Sequence, residues 1–149
     1  MAIGEICNRE VVIVTRETPV PEAARLMRRY HVGDLVVVEE LSGRRRPVGI
    51  VTDRDIVIEV VAMDVPAEGL TVGDIMSAEV AQVRESEGVY ETIRYMRDKG
   101  IRRMPVVDRD GWLQGIVTLD DLLILLAEEM SAMAKLVARE IDREQALRK

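Results

Sequence analysis

The sequence predicts an α/β chain of the α+β kind: two copies of a β-α-β-β-α unit packed sheet against sheet, with a helix added at the C-terminus. Three observations lead there. The first is an echo, since residues 49–55 read Gly-Ile-Val-Thr-Asp-Arg-Asp and residues 115–121 read Gly-Ile-Val-Thr-Leu-Asp-Asp. The second is what surrounds it. Val14 falls on Val83, Val20 on Val89, Met27 on Met96, Val32 on Ile101 and Val37 on Val106 at a spacing of 69, which drops to 66 at the echo itself. The third is that helical and strand-like apolar periods alternate in the same order in both copies. A duplicated unit implies approximate internal symmetry, and sites formed where the units meet then come in pairs.

Each element follows from local chemistry. Short runs of branched apolar residues at 11–14 and 80–83, 35–38 and 104–107, and 48–51 and 115–117 predict strands. Helices are predicted over Val20–Tyr30, with Ala23, Leu26, Met27 and Tyr30 on one face, and over Val89–Lys99, with Val89, Ile93 and Met96 on one face. The hairpin signals are Ser42-Gly43 and Asp110-Gly111, and the three-residue difference in spacing places a longer turn over 39–47 in the first copy. A second helix closes each unit. About 60 residues bury too little apolar surface to stand alone, so the two units should share one domain. The expected divisions are residues 1–68, 69–128 and a helical extension over 129–149.

Composition narrows the function. A net charge of −6, from 21 Lys plus Arg against 27 Asp plus Glu, argues against nucleic-acid binding. There is no Phe and a single Trp, Trp112 on a hairpin turn, so no aromatic platform for stacked bases is expected. The lone Cys7 and the lack of a Cys/His cluster predict a reducing, cytoplasmic setting without a metal site. Glu5 interrupts the N-terminus where a signal peptide would be apolar, and the apolar run over 122–127 is too short to span a membrane. Neither a Ser/Cys–His pairing nor a Gly-rich phosphate loop is present, so no enzyme is expected. His31 follows a helix end and reads as a capping or surface residue, and Met27, Met96 and Met104 read as core.

The two Thr-x-x-Asp motifs, Thr52/Asp55 and Thr118/Asp121, allow two readings. Thr followed three residues later by an acid at a strand-to-helix junction is close to a capping box, worth about 1 kcal/mol without any ligand. The same junction points unpaired amides at a cleft and sets beside them a carboxylate able to accept both hydroxyls of a ribose.

With these motifs, Gly100-Ile101-Arg102-Arg103-Met104-Pro105-Val106-Val107 and Thr18-Pro19-Val20-x-x-Ala23, the chain resembles the tandem cystathionine-β-synthase (CBS) domain pair, or Bateman module, from about residue 3 to residue 128. The resemblance implies a regulatory module that binds an adenine nucleotide, AMP first and ATP, ADP or NAD as alternatives, in clefts between the repeats. It implies a stronger site made of Thr18, Ala23, Val32, Gly33, Asp34, Arg102, Arg103, Ile116, Thr118 and Asp121. A weaker site would hold Ile50, Thr52, Arg54, Asp55, Glu87 and Ile101, together with Thr92 and Arg102. In that second site Gly33 and Asp34 occupy the positions equivalent to Arg102 and Arg103, and Glu87 the position of Thr18, so phosphate would meet carboxylates unless Arg54 or Arg44–Arg46 compensate. Aspartates of the motif would hold ribose hydroxyls and the Arg pair the phosphate. The alternative function is a nucleotide-independent oligomerisation or scaffold domain.

The helical pattern runs on past residue 128, with Leu123, Leu126, Met130, Met133 and Val137 recurring at three- and four-residue steps. Such a stripe needs a partner, and a homodimer is expected, with an unidentified regulated protein as a further partner. The mixed-charge tail over 139–149 is expected to fray.

Overall fold

In the computed structural model, which describes residues 1–148, the duplicated elements appear in their expected order. Strand β1 (Ile13–Val14) leads into helix α1 (Val20–Tyr30), which buries Val20, Ala23 and Met27 and carries Pro21 in its first turn, where an amide donor is dispensable. Strands β2 (Asp34–Leu41) and β3 (Arg44–Thr52) follow, then a short helix α2 (Asp53–Ile56) that widens into a π turn over Val57–Val61. A single-turn helix α3 (Val72–Ile75) precedes the second copy: β4 (Val83–Arg84), α4 (Val89–Lys99), β5 (Arg103–Val107), β6 (Leu113–Thr118) and α5 (Leu119–Leu147). Helices α1 and α4 end alike. His31 and Gly100, equivalent by the repeat, both sit in the left-handed region at φ 54° and 66°, and the His31 amide donates to the Met27 carbonyl. His31 therefore caps through its backbone.

Two three-stranded sheets result, ordered β1-β2-β3 and β4-β5-β6, with β1 parallel to β2, β4 parallel to β5, and β2 antiparallel to β3. The extra residues in the first copy do not make the longer turn expected over 39–47. They lengthen the strands instead. Ser42 and Gly43 both take positive φ, 53° and 77°, as a two-residue hairpin turn of the twist-matched type requires. Beyond it the ladder continues through Glu39 opposite Arg46 and Glu40 opposite Arg45, cross-strand pairs of opposite charge that favour extension. The Arg45–Glu40 contact is 3.4 Å.

The repeats are interleaved. Asn8 bridges to Ile116 at the edge of β6, and its equivalent Ser77 bridges to Ile50 at the edge of β3; Ala2 pairs with Gly88 just as Thr71 pairs with Pro19. Each copy thus lends the segment ahead of its first strand to the other copy's sheet. This crossing explains the glycines of the repeated Gly-Ile-Val-Thr motif. A Cβ on Gly49 would lie 2.7 Å from the Ser77 carbonyl, and one on Gly115 2.7 Å from the Asn8 carbonyl. It also explains the core: Val72 and Ile75, which sequence order assigns to the second copy, pack with Val14, Val20, Ala23, Met27, Leu35, Val37 and Val51 of the first. Neither repeat could bury its face alone.

Two compact units emerge, Met1–Val117 and Thr118–Lys149. The second consists essentially of α5, 29 residues in one continuous helix. The tail expected to fray is helical as far as Leu147. It contains no Gly or Pro, and an (i,i+4) ion pair joins Glu144 to Arg148 at 3.0 Å. Among the described residues no helix is long and apolar enough to cross a membrane.

Candidate functional site

Strand β3 delivers Thr52 to the N-cap of α2 because the apolar run 48–51 ends there and a side-chain oxygen takes over from the ladder. The Asp55 amide donates to Thr52 Oγ1 at 3.1 Å, and the Thr52 amide donates to Asp55 Oδ2 at 2.8 Å, a complete capping box. Beside it, the Asp53 amide donates to the Gly33 carbonyl at 2.9 Å, and a Cβ on Gly33 would come within 3.0 Å of Asp53 Oδ2. The turn between α1 and β2 is thereby fastened to the N-terminus of α2. Asp34, directly across the ladder from Thr52, completes this corner.

This corner opens on a cavity of 520 Å³ lined by Ile50, Thr52, Asp53, Arg54 and Asp55, by Ser77, Glu79 and Ala81, and by Gly100, Ile101, Arg102 and Arg103. All of them belong to the first compact unit. From the expected weaker set it gathers Ile50, Thr52, Arg54, Asp55 and Ile101, together with Arg102 and Arg103. Four members lie off its lining: Gly33 and Asp34, which form the adjoining corner, and Thr92 and Glu87. Thr92 is buried and donates its hydroxyl to the Gly88 carbonyl at 2.7 Å, as a satisfied helix residue does, while Glu87 accepts the Ile3 amide at its backbone carbonyl.

The charge at this corner differs from what equivalence alone suggests. Arg103 Nη1 donates to Asp34 Oδ1 at 2.8 Å, with the Asp34 side chain 13% exposed and that of Arg103 32% exposed. Asp34 and Arg103 are equivalent by the 69-residue repeat. Positions near an internal two-fold axis meet their own equivalents, so opposite charges there satisfy each other. Burial raises the Asp34 carboxyl above its usual range, and Arg103 pulls it back down. Asp34 is therefore not a bare carboxylate facing the cavity. The turn arginines, by contrast, lie at the far end of the hairpin. Arg44 and Arg46 are eight and six residues along β3 from Thr52, about 20–27 Å, with their guanidinium carbons 5.8 and 4.9 Å from the centre of the Trp112 ring. They do not supply charge to the Thr52 corner.

Of the expected stronger set, Val32 lines a 460 Å³ cavity with Asn8, Glu10, Val11, Val12, Ile13, Leu26 and Tyr30. The repeat relates four positions of the two cavities: Asn8 to Ser77, Glu10 to Glu79, Val12 to Ala81 and Val32 to Ile101. Ala23 is fully buried, and Thr18 Oγ1 accepts the Thr15 amide at 3.1 Å while its carbonyl accepts the Val72 amide at 2.8 Å. Ile116 exchanges backbone hydrogen bonds with Asn8, each 2.9 Å. Thr118 and Asp121 belong to the second unit, where the Asp121 amide donates to Thr118 Oγ1 at 3.1 Å; among the described residues the reciprocal bond of a capping box does not form there. The repeat alignment brings Ser77, Glu79 and Ala81 opposite Asn8, Glu10 and Val12, but no motif marks them as cavity residues.

Chemically, the 520 Å³ cavity offers apolar surface from Ile50, Ala81 and Ile101, a carboxylate at a helix N-terminus, and a cluster of guanidinium groups. That set matches a ligand with a flat apolar body, a diol and an anionic end.

The family model for the CBS domain matches residues 3–62 and again 72–128. An uncharacterised protein of Methanopyrus kandleri is 40% identical over 123 residues, which are 83% of this chain and 61% of that relative's length. The structure of CBSX2 in complex with AMP superposes with a TM-score of 0.75 at 25% identity, covering 87% of this chain and 98% of that one. That of the CBS domain pair of MJ0100 in complex with 5-methylthioadenosine and S-adenosyl-L-methionine gives 0.72 at 26% identity, covering 85% and 99%. With two matches set on the interleaved repeats and solved CBS pairs overlying most of its length, the chain belongs to the CBS domain family and carries a CBS domain pair.

Proposed function

We propose that this CBS pair is a regulatory module of the cytoplasm that binds an adenine nucleotide, AMP first among AMP, ADP, ATP and NAD, and acts as a homodimer that passes ligand occupancy to a partner protein. It is a sensor rather than an enzyme. The observation that carries the reading is the 520 Å³ cavity, in which the Thr52/Asp55 helix N-terminus is opposed by Gly100, Ile101, Arg102 and Arg103. Asp55 Oδ2 is engaged in the capping box, which leaves Oδ1 as the acceptor for a ribose hydroxyl. The guanidinium groups of Arg54 and Arg102 take the phosphate, and adenine lies against Ile50 and Ile101. The adenosyl ligands in the CBSX2 and MJ0100 complexes support this class of ligand. The Thr118/Asp121 motif, equivalent by the repeat to Thr52/Asp55, is the second nucleotide motif that a duplicated module implies.

A second reading has its own observation in its favour. The Thr52–Asp55 capping box is complete without a ligand, as a scaffold domain would need. Thermal shift with AMP, ADP, ATP, NAD and S-adenosylmethionine separates the two, because a ligand that binds only the folded state raises the melting temperature with concentration. A melting temperature that none of the five moves at millimolar concentration would leave the scaffold reading.

A further inference from the structure

Arg103 stands between two acceptors. It lines the 520 Å³ cavity next to Arg102, and its Nη1 donates to Asp34 Oδ1 at 2.8 Å. Asp34 itself lies off that lining, at the start of β2 opposite Thr52, with its side chain 13% exposed. The contact is a single bond rather than the paired bonds of an Arg–carboxylate fork, the arrangement that fixes a guanidinium most firmly. A guanidinium at a cavity wall, held from behind by one bond, is open to exchange.

The groups around Asp34 set the cost of that exchange. Strand β5 brings Arg103, with Arg102 just ahead of it, and the first turn of α2 brings Asp53, Arg54 and Asp55. Arg103 offsets the Asp34 carboxylate beside the acidic Asp53, and Asp34 in turn offsets the charge that Arg103 would present to an anion in the cavity. A phosphate is the same kind of acceptor as the carboxylate, an oxyanion matched to the guanidinium donors. We infer that Asp34 is a built-in competitor for the ligand's phosphate: without ligand it holds Arg103, a phosphorylated ligand draws Arg103 into the cavity, and this exchange limits the preference for phosphorylated over unphosphorylated ligands. The inference rests on the nucleotide reading above and deepens it, adding Arg103 to the phosphate groups and making Asp34 a specificity-determining residue. It also gives occupancy a structural consequence, because the bond that the phosphate opens ties the first repeat to the second. The contrary role, in which Asp34 aims Arg103 at the phosphate, predicts the opposite sign.

Asp34→Asn in the full chain keeps the shape and an oxygen acceptor for Arg103 but removes the charge. Calorimetric titrations of wild type and variant with AMP and with adenosine read the competition. Removing one unit charge about 8 Å from the phosphate, at an effective dielectric of about 30–80, should tighten AMP about three- to tenfold and move adenosine by less than about twofold. A second measurement uses the unmodified chain and so does not depend on how the variant folds. The Asp34 carboxyl is titrated by carbon NMR without ligand, with saturating AMP and with saturating adenosine. Arg103 lowers this carboxyl, so its withdrawal by AMP should move the titration to higher pH, whereas adenosine should leave it in place. AMP affinity that is unchanged or weaker in Asp34→Asn, an equal gain for AMP and adenosine, or an Asp34 titration that AMP does not move overturns the competition while the nucleotide reading stands. Failure of both AMP and adenosine to bind the wild type at millimolar concentration overturns this inference and the nucleotide reading together.

Discussion

Asp55→Asn separates the capping role of the Thr-x-x-Asp motif from its ligand role, because asparagine keeps an acceptor for the Thr52 amide but removes the charge. The capping bond, 2.8 Å from the Thr52 amide to Oδ2, is retained in kind. What the helix loses is the favourable placement of an anion in its first turn, about 0.3–1 kcal/mol. For a chain of 149 residues that is a fall in melting temperature of about 1–4 °C. The ligand loses more. Hydrogen bonds to a charged acceptor contribute about 1.5–3 kcal/mol against about 0.5–1.5 for neutral ones. The difference of about 1–1.5 kcal/mol weakens AMP binding roughly five- to twelvefold. Titration calorimetry on wild type and variant, with a thermal melt of each without ligand, gives both numbers. AMP affinity unchanged alongside the small drop in melting temperature would refute the ribose role and leave Asp55 as a cap.

Asp121→Ala should weaken adenine-nucleotide binding at the second site about tenfold with the fold intact, read in the same calorimeter. Arg103→Met leaves Asp34 half-buried without its guanidinium and should cost about 1–3 kcal/mol in urea unfolding. Because the folded Asp34 carboxyl is raised above its ordinary value of 3.8, protonation favours the folded state. Its contribution to stability is therefore full below that value and declines as pH climbs from 3.8 through the raised value; Arg103→Met should widen that window upward, measurable by unfolding at pH 4, 5 and 6. Trp112→Ala removes the ring under Arg44 and Arg46 and should leave AMP affinity unchanged, since the long β2–β3 arm holds them far from Thr52; a loss of affinity would contradict that placement. Truncation after Glu129 should weaken the dimer measurably and leave AMP binding at the Thr52/Asp55 cavity in place.

Much of this architecture was legible because it is written twice. The order of elements followed from comparing one copy with the other, while the α1 and α4 faces followed from helical period, except that Tyr30, expected on the α1 face, is 52% exposed. The errors cluster where the copies differ or where one copy touches the other. The extra residues at 39–47 read as a loop because a spacing difference says only that residues were added. Their strand character resided in Ser42-Gly43 and in the Glu39/Arg46 and Glu40/Arg45 pairs, which become visible only once the register is known. Likewise the helix runs on to Leu147 because nothing in 139–147 stops it, and mixed charge is as compatible with a helix as with a frayed end.

The Asp34–Arg103 pair shows why the charge of a site was the hardest part to read. Treating each repeat's residues as parts of separate clefts, Asp34 counts as a carboxylate in the wrong place and Arg103 as a cation for the other cleft. The repeat that makes them equivalent also brings equivalent positions together across the internal axis, where two aspartates would repel and two arginines would repel. An Asp facing an Arg is the arrangement that breaks the symmetry without leaving a half-buried charge unpaired. Symmetry inferred from sequence therefore carries a rule about its own axis: residues that map onto each other there must be judged as neighbours before they are judged as members of separate sites. Applied to residues 33–34 and 102–103, the rule neutralises Asp34, so that it no longer counts as a bare carboxylate opposing a phosphate at the Thr52/Asp55 cavity.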